Sequence, residues 1–456
     1  MLLPALLLGV LPHAVFPAVD PVPGVAEHLA RVSAERIRAD IDILSSFHTR
    51  HSLSDPDPEG VGIGAARQWI LHRFQEAGGR LKPSFDGHSV PPGRRIPRET
   101  ELVNVLAVLP GTMPQAAPRH VYVIAHYDSR ASDPMDARSA APGANDDGSG
   151  TVLVLELARV LAEVSLDCTV VFMATAGEEQ GLLGARAHAR AAHAEGRSIV
   201  GVLSNDIVGD PTGPGGREDR RHIRLFSEGI ESNLVQVGTR GDDPRELEGR
   251  LRALGQVRAI GNEHDAPSRG LARYVAEVAA REQTAVQPRL VFRPDRFLRG
   301  GDHSAFNEFG FAAVRFTEVY ENYDRQHQDI RVRNDRPYGD LPEYVDAEYL
   351  ADVARLNLAA LIHLANAPSP PQTRMLAGTL AYDTTLRWLP SAEPDVVGYE
   401  VVYRATTSPF WEHVVDVGQV TEATLELSKD DWFFGVRAYD RDGFRSMVSI
   451  PLPASD

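Results

Sequence analysis

The stretch V-Y-V-I-A-H-Y-D, Val121 to Asp128, decides the fold. Five apolar residues in a row suit a strand buried on both faces, and His126 and Asp128 stand at its C-terminal end. In open α/β sheets, ligands gather at the carboxyl ends of strands. An imidazole there with a carboxylate in reach is how metal-ligating histidines are commonly held. H-x-D alone reads more simply as the cap of a strand, and the segments downstream change that reading.

After a Ser-, Ala- and Asp-rich loop, A-P-G-A-N-D-D-G-S-G opens a helix over 151–164. Asp146 and Asp147 fall where that helix begins. Asp and Ser are favoured caps, but capping explains one acid, not an Asn-Asp-Asp run set among glycines that let the backbone approach closely. C-T-V-V-F-M-A-T, 168–175, is another buried strand, ending in A-T-A-G-E-E-Q-G with Glu178 and Glu179 ahead of a helix over 182–194. S-I-V-G-V-L-S-N-D, 198–206, repeats the pattern and ends on Asp206. One His, an Asp pair, a Glu pair and an Asp thus fall at strand ends or at the helix starts after them, and converge on one edge of a sheet.

Upstream, helical spacing over 27–47 and 61–77 predicts two helices packed on that sheet, with His48 and His51 between them as loop polars. A strand over 101–109 ends at Pro110-Gly111. From 210 to about 290 the sequence loosens into Gly-, Pro- and Arg-rich loops around a helix over 270–281, which reads as an insertion roofing the site. A last strand over 312–319 leads to Y-E-N-Y-D-R-Q-H-Q-D, placing His327 just past the sheet, and a closing helix covers 347–365. A-P-S-P-P, ending at 371, reads as a linker. Beyond it, 372–456 carries short alternating strands such as G-Y-E-V-V-Y-R-A, the texture of a small β-sandwich.

Composition narrows the function. With 43% hydrophobic and 24% charged residues over 456 positions, the chain is globular and long enough for a large core plus an appendage. A formal net charge of -16 argues against nucleic acid or anionic lipid as a non-specific partner. The single cysteine, Cys168, excludes an internal disulfide framework and a thiolate zinc cage. Residues 1–18 are apolar enough for a signal segment but lack a preceding Lys or Arg. Prolines 4, 12 and 17 oppose a membrane span there, so secretion or export to a periplasm is the expectation, with a cytoplasmic place left open.

Zinc takes imidazole nitrogen and carboxylate oxygen, and two ions about 3.5–4 Å apart need a bridging carboxylate and an activated water. In order and spacing, H-Y-D, G-A-N-D-D-G-S-G, G-E-E-Q-G, S-N-D and the late His resemble the co-catalytic di-zinc peptidases. That family includes bacterial secreted leucyl aminopeptidases, glutamate carboxypeptidases and, more distantly, glutaminyl cyclases and the transferrin receptor. The resemblance covers roughly 27–367. It implies a three-layer α/β/α fold with a mixed, mostly parallel central sheet, and two zinc ions per chain. His126 and Asp206 would hold one ion, Glu179 and His327 the other, and Asp146 would bridge them. It further implies a cis peptide between Asp146 and Asp147, Asp128 as the partner of His126, and Glu178 as general base. Gln326 and Gln328 depart from the family's Tyr and Thr around the late His. Asp302 and His303 in G-G-D-H-S-A-F read as wall residues, and Tyr320 and Tyr323 as candidate oxyanion donors.

The last domain resembles fibronectin type III modules, with Trp388 on an early strand and Trp432 replacing the usual corner tyrosine as a buried donor; such a module suits attachment or substrate docking. The leading expectation is an aminopeptidase acting on peptide substrates. Its nearest rival is a carboxypeptidase, for which Arg293, Arg296 and Arg299 could bind a substrate carboxylate. A single-zinc glutaminyl cyclase and a non-catalytic, receptor-like protein follow. Oligomeric state has no readable signal.

Overall fold

The computed structural model describes residues 19–57, 59–235, 244–376 and 381–454; the expected signal segment lies outside them. The first part of the chain carries strands β1 (Lys82–Val90), β2 (Thr100–Leu109), β3 (Arg119–His126), β4 (Thr169–Thr175), β5 (Ser198–Asn205), β6 (His222–Phe226), β7 (Gln287–Val291) and β8 (Ala313–Thr317). Its helices are α1 (Val25–Leu29), α2 (Ala34–Ser45), α3 (Ile63–Ala77), α4 (Gly148–Leu161), α5 (Leu183–Ala194), α6 (Ser232–Val235), α7 (Pro244–Ala259), α8 (Pro267–Arg281), α9 (Asp302–Asn307) and α10 (Ala347–Asn366).

The eight strands form one mixed sheet in the order β1-β2-β4-β3-β5-β8-β6-β7. Its centre, β4-β3-β5-β8, is parallel, so the ends of these strands reach the same rim. The V-Y-V-I-A run sits within that centre, as its apolar character requires. Val121, Val123 and Ala125 enter the core shared with α4 and α10, while Tyr122 and Ile124 enter the opposite core with α5 and α9. Alternation cannot fix the register of a strand apolar on both faces. The polar ends do so, by placing His126 opposite Thr175 at the rim.

Two expectations are corrected and one strand is added. The helix predicted over 27–47 is two helices, because Ser33 caps α2 by accepting the Arg36 amide and the chain turns before it. The edge strand β1 escapes a search for apolar runs because most of its residues face solvent. The supposed roof over 210–290 instead extends the sheet: β6 pairs with β8 and β7 with β6, and α8 packs Leu271, Val275 and Val278 into the main core.

Past α10 the chain forms an all-β module. A small hairpin, β9 (Arg331–Arg333) and β10 (Arg336–Tyr338), precedes α10. The module comprises β11 (Thr373–Leu376), β12 (Thr384–Trp388), β13 (Val396–Ala405), β14 (His413–Gly418), β15 (Glu422–Leu425), β16 (Trp432–Asp440) and β17 (Leu452–Ala454). Its sheets run β15-β12-β11-β17 and β14-β13-β16 around Leu386, Trp388, Val401, Phe434 and Val436. Trp432 is half-buried and packs edge-on against Tyr403 at 5.3 Å, instead of acting as a buried donor.

The A-P-S-P-P stretch is held, not free. The Ala367 carbonyl accepts from Arg119 Nη2 at 3.1 Å and the Ser369 amide donates to Glu393 at 3.0 Å. Phe444 of the module belongs to the main core and meets the His363 ring of α10 at 5.2 Å. Arg437, 2% exposed, reaches Glu400 within the module and Glu277 on α8, both at 2.6 Å. Removing one partner of a buried ion pair costs about 3–5 kcal/mol, and Glu277, 22% open to solvent, draws the value to the lower end. Arg437→Ala is therefore expected to lower unfolding free energy by about 3 kcal/mol in a denaturant titration. A loss below about 0.5 kcal/mol would place this contact among ordinary surface pairs. No helix among the described residues is long and apolar enough to cross a membrane.

Candidate metal centre

The rim of the parallel strands gathers the predicted residues. His126 ends β3, Asp146 and Asp147 precede α4, Glu178 and Glu179 follow β4, Asp206 follows β5, and His327 comes from the loop after β8. They form two groups, His126-Asp146-Asp206 and Asp146-Glu179-His327, with Asp146 common to both. His126 Nε2 lies 3.3 Å from Asp146 Oδ1 and 3.9 Å from Asp206 Oδ2. His327 Nε2 lies 2.9 Å from Asp146 Oδ2 and 3.0 Å from Glu179 Oε1. Each Asp146 oxygen thus faces a different group.

These groups fit zinc. With bonds of about 2.0–2.1 Å, two ligands of a tetrahedral ion stand about 3.3 Å apart, close to the separations here. Buried Glu179 Oε1 makes no well-angled hydrogen bond even though His327 Nε2 lies 3.0 Å away, as two ligands facing a common cation would. His126 Nδ1 faces the Asp128 carbonyl at 3.1 Å. That contact places the proton on Nδ1 and leaves the Nε2 lone pair toward the group.

The electrostatics are those of crowded acids. Burial opposes charging of His126, but Glu178, Asp128 and Asp146 more than offset it and hold its pKa well above the ordinary value. Burial, with Glu179, Asp206 and Asp302 nearby, pushes the Glu178 carboxyl well above the usual range, against the pull of His126. His327 is raised to about 10: burial resists, while Glu179 and Asp146 prevail. Its backbone is left-handed, at φ 50°, a region uncommon for non-glycine residues but one that His enters more readily than most.

Two buried carboxylates hold this geometry. Asp147, joined to Asp146 by a cis peptide, accepts from the amides of His126 (3.1 Å), Gly150 (3.0 Å) and Ile207 (3.3 Å). One side chain therefore ties together the ends of β3 and β5 and the start of α4. Gly150 allows that approach, since a Cβ there would lie 2.4 Å from the Asn205 carbonyl oxygen. Asp147→Ala would orphan three amides at about 1–3 kcal/mol each. It is expected to lower stability by more than about 3 kcal/mol, readable as a fall in the denaturant midpoint, whereas a shift under about 1 kcal/mol would show the amides finding other acceptors.

Asp128 differs from expectation. Its carboxylate lies 3.6 Å from His126 Nδ1, beyond a hydrogen bond, so the imidazole is held by the backbone carbonyl. The carboxylate instead accepts the amides of Glu178 (3.2 Å) and Glu179 (3.1 Å) and fixes the turn that presents both side chains. Gly177, at φ 74°, lets that turn leave β4.

Sequence reasoning missed three supports. Asp340 accepts the amides of Asn145 (2.9 Å) and Asp146 (2.7 Å). Glu318 accepts the Asn145 side chain at 2.9 Å and the Asp210 amide at 3.0 Å. Fully buried Arg315 places Nη2 2.9 Å from Asp206 Oδ1 and Nη1 3.2 Å from Asp295, leaving the second Asp206 oxygen toward His126.

The groups open into a cleft of about 630 Å³, lined by Glu178 and also by Arg296, Arg299 and Tyr323. Tyr320 lines a neighbouring hollow and Arg293 neither. Buried Asp302 bonds Thr175, and the His303 ring bonds the Pro294 carbonyl at 2.8 Å; both stand behind the cleft wall. His48 and His51 bond the carbonyls of Arg138 and Pro134, each at 2.9 Å.

Residues 104–215 match the family described as Peptidase family M28. A probable zinc metalloprotease of Leptosphaeria maculans is 42% identical over 428 residues, 92% of this chain and 95% of the relative. One from Pyricularia oryzae is 42% identical over 438 residues, 93% of this chain and 84% of the relative. In structure the chain is similar to the LapA aminopeptidase of Legionella pneumophila, with TM-score 0.50 and 18% identity, covering 78% of this chain and 79% of that one. It is also similar to a glutaminyl cyclase of Macrostomum lignano, with TM-score 0.50 and 14% identity, covering 76% and 94%. At these identities the two structures share the fold alone.

Proposed function

Since this chain belongs to peptidase family M28, that of its zinc metalloprotease relatives, we propose that it is a metallo-exopeptidase releasing N-terminal residues from peptides. The observation that carries the reading is the pair of ligand groups sharing Asp146, with one further carboxylate, Glu178, on the same cleft. His126 and Asp206 would hold one zinc ion, Glu179 and His327 a second, and Asp146 would offer an oxygen to each. Zinc bound there supplies a Lewis acid for the scissile carbonyl and acidifies water. Glu178 has no ligating role and accepts the proton of the attacking water, then returns it to the departing amine. Asp128, through the two amides it holds, aims that carboxylate. Tyr323, exposed on the cleft, is the hydroxyl best placed to donate to the developing oxyanion.

A carboxypeptidase of the same family is the second reading, favoured by the arginines on the cleft wall. Turnover of an aminoacyl anilide against an N-blocked peptide separates the two, with metal content measured on the same sample. Hydrolysis of the blocked peptide alone would overturn the aminopeptidase. One ion per chain with ring closure of N-terminal glutamine would assign the cyclase, and inertness toward all three would leave a binding protein. The β module is read as a fibronectin type III-like docking unit. Secretion is tested by N-terminal sequencing of the protein recovered outside its cell.

A further inference from the structure

Among the described residues a third group of metal-ligating side chains stands apart from the cleft: Asp86, His88 and His188, with one ligand atom of each within 4.8 Å of the others. None of the three lines the cleft. Asp86 and His88 are two apart on the edge strand β1 and so share one face of it. Asn104 of β2 pairs opposite Asp86, and α5 brings buried His188 to the same carboxylate.

The contacts converge on one atom. His88 Nε2, His188 Nδ1 and Asn104 Nδ2 each lie 2.9 Å from Asp86 Oδ2. A carboxylate oxygen has about two lone-pair sites, fewer than the three nitrogens that face this one. A cation seated between Oδ2 and the two rings removes that crowding, because each ring nitrogen then presents a lone pair to the ion and needs no proton. The N–O separations fall a few tenths of an ångström inside the roughly 3.3 Å of adjacent ligands on tetrahedral zinc, as they do for His327 at the main centre. His188 Nε2 lies 3.2 Å from the Tyr122 hydroxyl, an oxygen able to take the ring's proton, as the outer partner of a metal-bound imidazole does. Burial works against charge on Asp86, but the two imidazoles hold its carboxyl well below the usual range. Side-chain exposures of 19% for His88 and 26% for Asp86 leave an ion a way in and a place for water as fourth ligand.

We propose that Asp86, His88 and His188 bind a further divalent cation of the zinc class, which staples β1 to α5. The staple is joined to the turn that carries Glu178 and Glu179. Asn104 Nδ2 also donates to the Gly184 carbonyl at 3.2 Å, and its Oδ1 accepts the Ala176 amide at 3.0 Å, so one side chain links the ion's carboxylate to both ends of that turn.

Zinc titrated calorimetrically into the full chain, its main centre already loaded and free metal removed, tests the site. One further equivalent per chain is expected, with proton release read as a heat that depends on the buffer. His88→Ala and Asp86→Asn are expected to lose that equivalent or weaken it by more than about a hundredfold, since a ligand's loss exceeds the roughly 10–100-fold cost of losing an outer partner. The readout is the difference between wild type and variant, so the number of ions at the main centre cancels. The same zinc should raise the Tm of the wild type and leave that of His88→Ala unmoved. No further equivalent in the wild type, or one that survives both substitutions, overturns the site. Variants that lose stability while the wild type takes up no further zinc would show a hydrogen-bonded clasp in its place, and overturn it likewise.

Discussion

Glu178→Ala is expected to lower kcat by about 10²–10⁴-fold, the range a positioned proton carrier supplies, while the protein keeps its zinc. The separation follows from the geometry. Glu178 lines the cleft but belongs to neither ligand group, so its loss removes a proton acceptor without opening a coordination position. The Asp128 carboxylate holds the Glu178 and Glu179 amides irrespective of the side chain at 178, so the turn survives the substitution. Metal analysis beside steady-state kinetics reads both halves. Unchanged turnover would remove Glu178 from the chemistry, and loss of metal together with activity would move it into the ligand set.

Asp146→Ala carries the second large effect. Its two oxygens face opposite ways, Oδ1 toward His126 and Oδ2 toward His327, so both groups drop to two members at once. Dialysed protein is expected to lose both ions and all measurable hydrolysis. His327→Ala, which breaks only the Glu179 group, should release one. Retention of both ions by the Asp146 variant would show the groups to be independent and the bridge illusory.

What the sequence makes legible is what local pattern encodes. An apolar run buried on both faces announces β3 and β4, and acids at the ends of such runs must meet at the rim because the strands are parallel. The partners of those acids are legible nowhere. Asp340 lies in an ordinary Y-G-D-L-P turn and reaches the Asp146 amide only through the tertiary fold. Arg315, alone amid the apolar β8, is a signal that could have been read: a charge in a buried strand requires a partner, and Asp206 is it. The stretch over 210–290 misleads because Gly and Arg dominate its loops, yet H-I-R-L-F alternates, and Ile223 and Leu225 are buried as a strand's alternation implies.

The seating of the β module settles how any partner held there would meet the active centre. With Phe444 in the main core, Arg437 locked to α8, and Ala367 and Ser369 after α10 held by Arg119 and Glu393, the module is no swinging arm. A target gripped on its outer edge would stand at a set distance from the two ligand groups, as on a jig. Reach along the target is then measured by the rigid body itself, and lengthening A-P-S-P-P would gain no extra span until those anchors were cut.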